Sequence, residues 1–530
     1  MKPLIRTRCK LSFPLFIVPA MHLPTSIVLL TVALLLAQRP AVAQLGPDYI
    51  RPDTETVQWR APQPLDTHPR GEWWACFHDS DLNALMQDAT RHNQSLKAAI
   101  ARFDQARATA RIARGNFFPN LSSGKIFAER QRTSQNMPSP FPLNGLYYDG
   151  PAYEVPLDFS WELDLWGKIR RQYQSGVADA GAAAADIHNV LLGIHSDVAT
   201  NYFRLRALDS EIGTVVESIQ LRREAFDIAA ARVKAGAGSE IEEAQAETEV
   251  AIAESELASL HNQRDQLKNA IAILVGANAS RFDIPAHTGG CPVPPRVPTG
   301  VQSDLLERRP DIATAERRLE SITAQIGATR GLMFPSIKLV GSGGWQSGDI
   351  DYLFESSSLM WRVGPSISFP LLSGGQSRSK MEEVRASHDV ALANYRQAFL
   401  IAVSEVETSV AALRHLEIQA EAQQRAKTSA ARASSLAKTR YEAGTSPYLE
   451  VIDSNRALLN THRGVEQLAG QRLIATVSLI KALGGGWDQR LPVEIPSAEP
   501  DPASQTEAAV QKKGFFKRIG GLFRKKDKTE

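Results

Sequence analysis

Between Tyr153 and Leu165 every odd position is apolar: Tyr153, Val155, Leu157, Phe159, Trp161, Leu163 and Leu165. Between them stand Glu154, Asp158, Ser160, Glu162 and Asp164. A period of two predicts a β-strand with one apolar and one polar face. The pattern returns downstream, with Trp361, Val363, Ile367, Phe369 and Leu371 set against Arg362, Gly364, Ser366 and Ser368. Weaker alternation follows two Phe-Pro junctions, Phe117-Phe118-Pro119 and Met333-Phe334-Pro335, as in Ile337, Leu339, Gly341, Gly343 and Trp345. Four strands per chain are expected, two in each half, with polar loops at about 131–152 and 346–360.

Elsewhere the period is helical. One pattern runs from near Asp79 to Arg114, and a second from near Ser303 to the later Phe-Pro junction. A third, Lys168 to Val233, would be ~100 Å long at ~1.5 Å per residue, with a break expected near its middle. A fourth begins near Ser377 and ends at the turn Arg440-Tyr441-Glu442-Ala443-Gly444-Thr445-Ser446-Pro447. Gly444 supplies a helix-ending geometry, Ser446 is the expected cap of the next helix, and Pro447 suits its first position. Beyond it, positions 458, 461, 465, 468, 472, 475, 479 and 482 keep a 3/4 spacing, the mark of a supercoiled pair.

The turn and its seam occur twice. Arg232-Val233-Lys234-Ala235-Gly236 precedes a helix with seam positions 250, 253, 257, 260, 264, 267, 271 and 274. Arg264 and Arg472 lie 472 − 264 = 208 residues apart, as do Gly236 and Gly444, and Gly276 and Gly484. A tandem duplication is the simplest account.

Strands of about ten residues with one aromatic-rich apolar face match transmembrane β-strands. A soluble sheet would need a core, and the remainder of the chain is long helices. Four strands cannot sit in lipid with open edges, so other copies of the chain must complete the barrel.

Composition narrows the picture. A net charge of +2 over 530 residues argues against nucleic acid as a partner. Arg6, Arg8 and Lys10 precede the apolar run from Ser26 to Leu36, and Ala41-Val42-Ala43 forms a small-x-small site. Residues 1–43 read as a signal peptide cleaved between Ala43 and Gln44, with Met21 as an alternative start. No run of 18 apolar residues follows it. Residues 44–72 are Pro-rich and extended; 73–290 form the first repeat, 291–486 the second, and 487–530 a tail. The tail ends in alternating Phe515, Phe516, Ile519, Leu522 and Phe523 with Lys and Arg, an amphipathic lipid-seeking helix or a solubilising tail. Cys76 and Cys291 would enter an oxidising compartment, either paired or as two separate thiols. There is no metalloprotease, phosphate-loop, paired-cysteine or nucleophile-elbow motif, so neither enzyme chemistry nor a cofactor or metal is expected.

Several segments together carry a resemblance: Gly46-Pro47-Asp48-Tyr49 with Arg51-Pro52; Trp73-Trp74 with Phe77; Ser160-Trp161-Glu162-Leu163-Asp164-Leu165-Trp166-Gly167; Leu305-Leu306-Glu307-Arg308-Arg309-Pro310-Asp311-Ile312; and both hairpins. Over about residues 45–486 the chain resembles the outer-membrane factors of tripartite efflux pumps and secretion systems, the NodT/OprM-like branch with a TolC-like fold. The resemblance implies an α+β membrane protein with a duplicated β-β-α-α repeat. It implies a homotrimer whose 12-stranded transmembrane β-barrel continues into a periplasmic α-helical barrel with an equatorial belt. It further implies a passive conduit in a Gram-negative outer membrane, fed by a periplasmic adaptor and an inner-membrane transporter of the RND type. A type I secretion conduit is the alternative within that class, and a trimeric coiled-coil adhesin the alternative outside it. Most of this branch carries a lipidated Cys before Gly-Pro-Asp-Tyr; here Ala43-Gln44-Leu45 stands there. Lys234, Ala235, Gly236, Glu442, Ala443 and Gly444 become adaptor-docking tips. Leu449, Glu450, Asp453 and Arg456 become a periplasmic gate, with Arg456 pairing across to Asp453 or Glu450. By the same resemblance Cys76 and Cys291 lie near the equatorial belt, within reach of a disulfide.

Overall fold

The computed structural model of the chain describes residues 45–52, 71–123, 126–134, 148–236, 238–287, 292–295, 309–369, 371 and 374–485. The signal peptide, Gln44, Cys291 and the basic tail lie outside them. The chain separates into two compact units, and each repeat contributes to both. Of the described residues, one takes those within Asn116–Arg171 and Gly327–Ser377 with Leu45–Pro47; the other takes those within Asp48–Gly115, Gln172–Ile326 and Arg378–Gly485.

The first unit is an antiparallel sheet. Its strands are β1 (Asn120–Ser123), β2 (Phe127–Arg132), β3 (Asp149–Leu163), β4 (Ser336–Ser347) and β5 (Leu359–Ser368). β1 and β2 are successive pieces of one expected strand; both pair with β3, which pairs with β4, which pairs with β5. The register slips by one residue between them: Ser123 faces Leu157, whereas Phe127 faces Glu154. One extra residue on one strand is a β-bulge.

The cross-strand rows confirm that the period-2 pattern sorts the faces. Leu121, Phe159, Gly341 and Val363 form one row, and Trp161, Leu339 and Pro365 another. On the opposite face Ser122, Asp158, Ser342 and Arg362 line up, as do Glu162, Lys338 and Ser366. Burial does not explain the apolar face. Trp361 is 77% exposed, Val363 63% and Ile367 55%. Gly344 is required where β4 meets β3: its φ is +154°, and a Cβ there would lie 2.1 Å from the Val155 carbonyl oxygen.

The Trp-Glu-Leu-Asp-Leu-Trp-Gly segment closes this unit. Asp164 carboxylate oxygens accept from the backbone N–H of Ile169 (3.0 Å) and Arg170 (2.9 Å), capping the helix that follows. Trp166 Nε1 donates to the Pro335 carbonyl at 2.8 Å and its ring stacks on Phe334, binding the two repeats together.

The second unit is helical. It contains a short 3₁₀ turn, Trp73–Phe77, then α1 (Ser80–His92) and α2 (Gln94–Gly115). The single helix expected from Asp79 to Arg114 is thus two. Asn93 divides them because its Oδ1 accepts from Leu96 N–H at 3.0 Å while its Nδ2 donates to the Leu274 carbonyl at 2.7 Å. The long helices are α3 (Lys168–Lys234), α4 (Glu240–Leu274), α5 (Pro310–Gly331), α6 (Gln376–Glu442) and α7 (Tyr448–Ala482). α3 runs 67 residues without the expected break, as does α6. All four ends of α6 and α7 fall 208 residues beyond those of α3 and α4 (376 − 168; 482 − 274), so the duplication holds at the level of element boundaries.

The largest core cluster joins Trp74, Phe77, Leu82 and Met86 to Tyr202, Phe203, Ile271 and Val477. In α4 the seam is where its spacing placed it, at Ala253, Leu260 and Ile271. In α7 Leu468, Leu479 and Ala482 of the expected seam are buried, and the buried stripe widens to Leu459 and Leu473, beside 458 and 472, because α7 packs against more than one neighbour. Among the described residues no helix is long and apolar enough to cross a membrane.

Candidate functional site: the hairpin ends

Two tight turns end the helical hairpins. Gly236 and Gly444 both adopt φ +71°, a conformation glycine takes without steric cost. Gly236 N–H donates to the Val233 carbonyl and Gly444 N–H to the Tyr441 carbonyl, each at 2.9 Å. Ser239 caps α4 by accepting from Ile241 N–H at 3.2 Å. The second turn differs from expectation: Pro447 occupies the cap position, and Ser446 Oγ is buried with no partner. Lys234, Ala235, Gly236, Glu442, Ala443 and Gly444 are all exposed.

The two hairpins are tied to each other just behind these turns. Tyr448, Val451 and Ile452 of the second pack with Ala229 and Ala246 of the first. Arg232 Nη1 donates to Tyr441 Oη at 3.0 Å, and Tyr441 Oη donates to Glu242 Oε2 at 3.4 Å. Burial, with the Glu242 charge second, raises the Tyr441 phenol above its ordinary value.

The strongest tie is Arg456 to Glu249. Arg456 Nε donates to Glu249 Oε1 at 3.1 Å, with Nη2 on the same oxygen. Glu249 also holds Arg222, at 3.0 Å, and its own side chain is only 8% exposed. That hydrogen bond, ahead of the charge itself, raises the Arg456 pKa. Within one chain the acids near Arg456 in sequence are secondary partners: Asp453 is 3.9 Å away, and Glu450 pairs with Arg440 at 3.3 Å. The reason is helical geometry. Asp453 lies on the same helix, whereas Glu249 presents a nearly buried carboxylate from α4, already neutralised in part by Arg222.

One heptad on, the tie repeats. Arg463 contacts Glu256, and its Nε donates to Glu211 at 2.7 Å. Arg456 and Arg463, like Glu249 and Glu256, are seven residues apart, a ladder of the kind that joins paired helices. Glu249, Glu256, Arg222 and Tyr441 were absent from the sequence expectation; the two matched intervals of seven were the available signal. Leu449, 52% exposed, Glu450, Asp453 and Arg456 all reach solvent in the single chain. Leu449 and Arg456 edge a groove of about 540 Å³ with Glu240, Gln245 and Thr248.

Elsewhere, Arg309 of the Leu305–Ile312 segment donates to Asp311 and Glu405, each at 2.7 Å, and to the Ala482 carbonyl at 2.9 Å. It fastens the end of α7 to α6. Cys76 is half-buried beside the main core, and burial pushes its thiol up to about 11. Among the described residues no cluster of His, Cys, Asp and Glu is arranged to hold a metal ion.

The comparisons with known proteins bear on this geometry. The family model for outer membrane efflux protein matches residues 85–277 and 301–485. The chain belongs to that family. The outer membrane protein OprJ of Pseudomonas aeruginosa is 29% identical over 466 residues, covering 86% of this chain and 96% of the relative. The toluene efflux pump outer membrane protein TtgI of Pseudomonas putida is 31% identical over 412 residues, covering 78% and 86%. Among solved structures, the outer-membrane channel OprN superposes with a TM-score of 0.78 at 28% identity, covering 84% of this chain and 100% of that one. The family is one of transport channels, not of enzymes.

Proposed function

We propose that this chain is the outer-membrane channel of a tripartite efflux pump, acting as a homotrimer with a periplasmic adaptor and an inner-membrane transporter. The observation that carries the reading is the sheet. It has one polar face, one exposed apolar face and two open edges, β1/β2 and β5. Lipid accepts the apolar face but not the edges, so three copies closing twelve strands satisfy every backbone group. Efflux is favoured over protein secretion because relatives matched over most of their length, such as TtgI, carry efflux names.

In this reading the exposed turns at Gly236 and Gly444 present unpaired helix-end groups to the adaptor. Threefold symmetry makes rings of Leu449, Glu450 and Asp453 at the narrow end, a closed aperture that admits small cations before anions or bulky solutes. The Arg456–Glu249 tie holds the second hairpin against the first while the aperture is shut. Expression in a strain lacking its own channel should restore resistance to pump substrates. The Gly444→Pro variant should assemble as a trimer and fail to restore it. Crosslinking in detergent that yields only monomer or dimer would overturn the reading.

A further inference from the structure

We infer that neighbouring subunits are locked at the barrel seam by a salt bridge from Arg362 of one copy to Glu129 of the next. The inference rests on the trimer reading above and adds to it the register in which the chains join.

The open edges carry complementary charges on the polar face. Arg362 lies on edge strand β5, in the row Ser122–Asp158–Ser342–Arg362. Glu129 lies on the other edge, in β2, opposite Ala152, an even-numbered position of β3 on the same face as Asp158. Both side chains are exposed. Among the charged groups nearby, Lys338 pairs with Glu162, and Arg130 and Arg132 pair with Asp149, while Glu154 and Asp158 lie on β3, one strand in from the β2 edge. Within the chain Arg362 is separated from Asp158 by the whole width of β4, two strand spacings of about 4.8 Å.

Barrel geometry fixes which residues meet. Strands about 4.8 Å apart and tilted roughly 35–45° close a twelve-stranded barrel with a total stagger of about 12–17 residues. Each of three subunits then contributes about four to six. Only an even stagger sets polar face against polar face. One direction carries Arg362 six residues inward from Ser122, to 116, before β1 begins at Asn120, and leaves β2 without a partner. The other carries it outward. There the level of Asp158 moves six residues along β3 to Ala152, which β2 meets with Glu129. The bulge between β1 and β2 makes this possible, since its extra residue is what places 129 rather than 128 on the polar face. At the same stagger Leu359, the outer end of β5, comes level with Arg132, the outer end of β2. At a stagger of four, Glu129 remains the diagonal neighbour, within reach of an arginine.

The test is a cysteine pair. The Glu129→Cys/Arg362→Cys double variant should give covalent dimers and trimers on non-reducing gels, and neither single variant should. Arg362→Glu should lose the SDS-resistant trimer band at a temperature the unsubstituted protein survives, and Glu129→Arg in the same chain should restore it. An amine-crosslinkable trimer with no disulfide ladder and no mutual rescue would overturn the register while leaving the trimer standing. Absence of trimer in the unsubstituted protein would overturn both.

Discussion

Removing the Arg456 guanidinium should unlatch the second hairpin. Its bond to Glu249 has one nearly buried end, at 8% exposure, and one half-exposed end, at 50%. It therefore ranks between an exposed ion pair, up to about 1 kcal/mol, and a charge-assisted hydrogen bond, about 1.5–3 kcal/mol; about 1–1.5 kcal/mol is the working figure. That raises the open-to-closed ratio about 5- to 13-fold per subunit, and about 150- to 2,000-fold if three subunits open together. Arg456→Ala and Glu249→Ala should both raise single-channel conductance in planar bilayers and sensitise cells to large antibiotics. The double variant should add little to either, because the same bond is lost. Glu249→Ala alone should also lower folding stability, by about 1–3 kcal/mol, since the nearly buried Arg222 loses its carboxylate and keeps only the bond from Nη1 to the residue 249 carbonyl. Asp453→Ala should leave the tie between the hairpins intact, because its contact to Arg456 is 3.9 Å long and both partners are exposed, and it should act instead by removing a carboxylate from the aperture ring. Additive effects of Arg456→Ala and Glu249→Ala on conductance would refute this coupling.

Two further outcomes follow from buried and crowded positions. His195 bonds Thr90 Oγ1 at 2.8 Å beside Trp74, and burial lowers its pKa from 6.5 to about 4. A depressed folded-state value means stability is present above pH 6.5 and lost as pH falls from there through about 4, approaching 3 kcal/mol per chain; His195→Gln should flatten that part of a melting-temperature profile, and an unchanged profile would refute it. Gly344→Ala should cost about 2–4 kcal/mol and deplete folded protein from the membrane fraction, whereas Gly343→Ala, whose new methyl carbon would lie 3.8 Å from Trp361 Cβ, should assemble normally.

Much of the fold is legible before any coordinates. Strand faces follow from period two because Cβ atoms alternate across a strand, and the alternation from Tyr153 to Leu163 maps directly onto the rows of β3. Turn glycines at 236 and 444 are legible because few residues other than glycine accept φ +71°. The tie between the two hairpins is not legible in the same way. Arg456 bonds Glu249, 207 positions away, and no local pattern points to that pairing.

The physical reason divides the two kinds of knowledge. Sequence by itself determined whatever depends on one element: periodicity, turn geometry, the 208-residue repeat and the class of surface each strand presents. Tertiary structure decided whatever depends on two elements meeting. It made two helices of the stretch divided at Asn93, because that side chain is claimed by Leu96 and by the end of α4. It widened the buried stripe of α7 beyond the expected seam to Leu459 and Leu473, because several helices share its surface. It inserted a bulge between β1 and β2, which shifts the register by one and so decides which charges reach the seam. A local pattern encodes which face is apolar, but the depth and partner of a charge such as Glu249 exist only once the helices that bury it have packed.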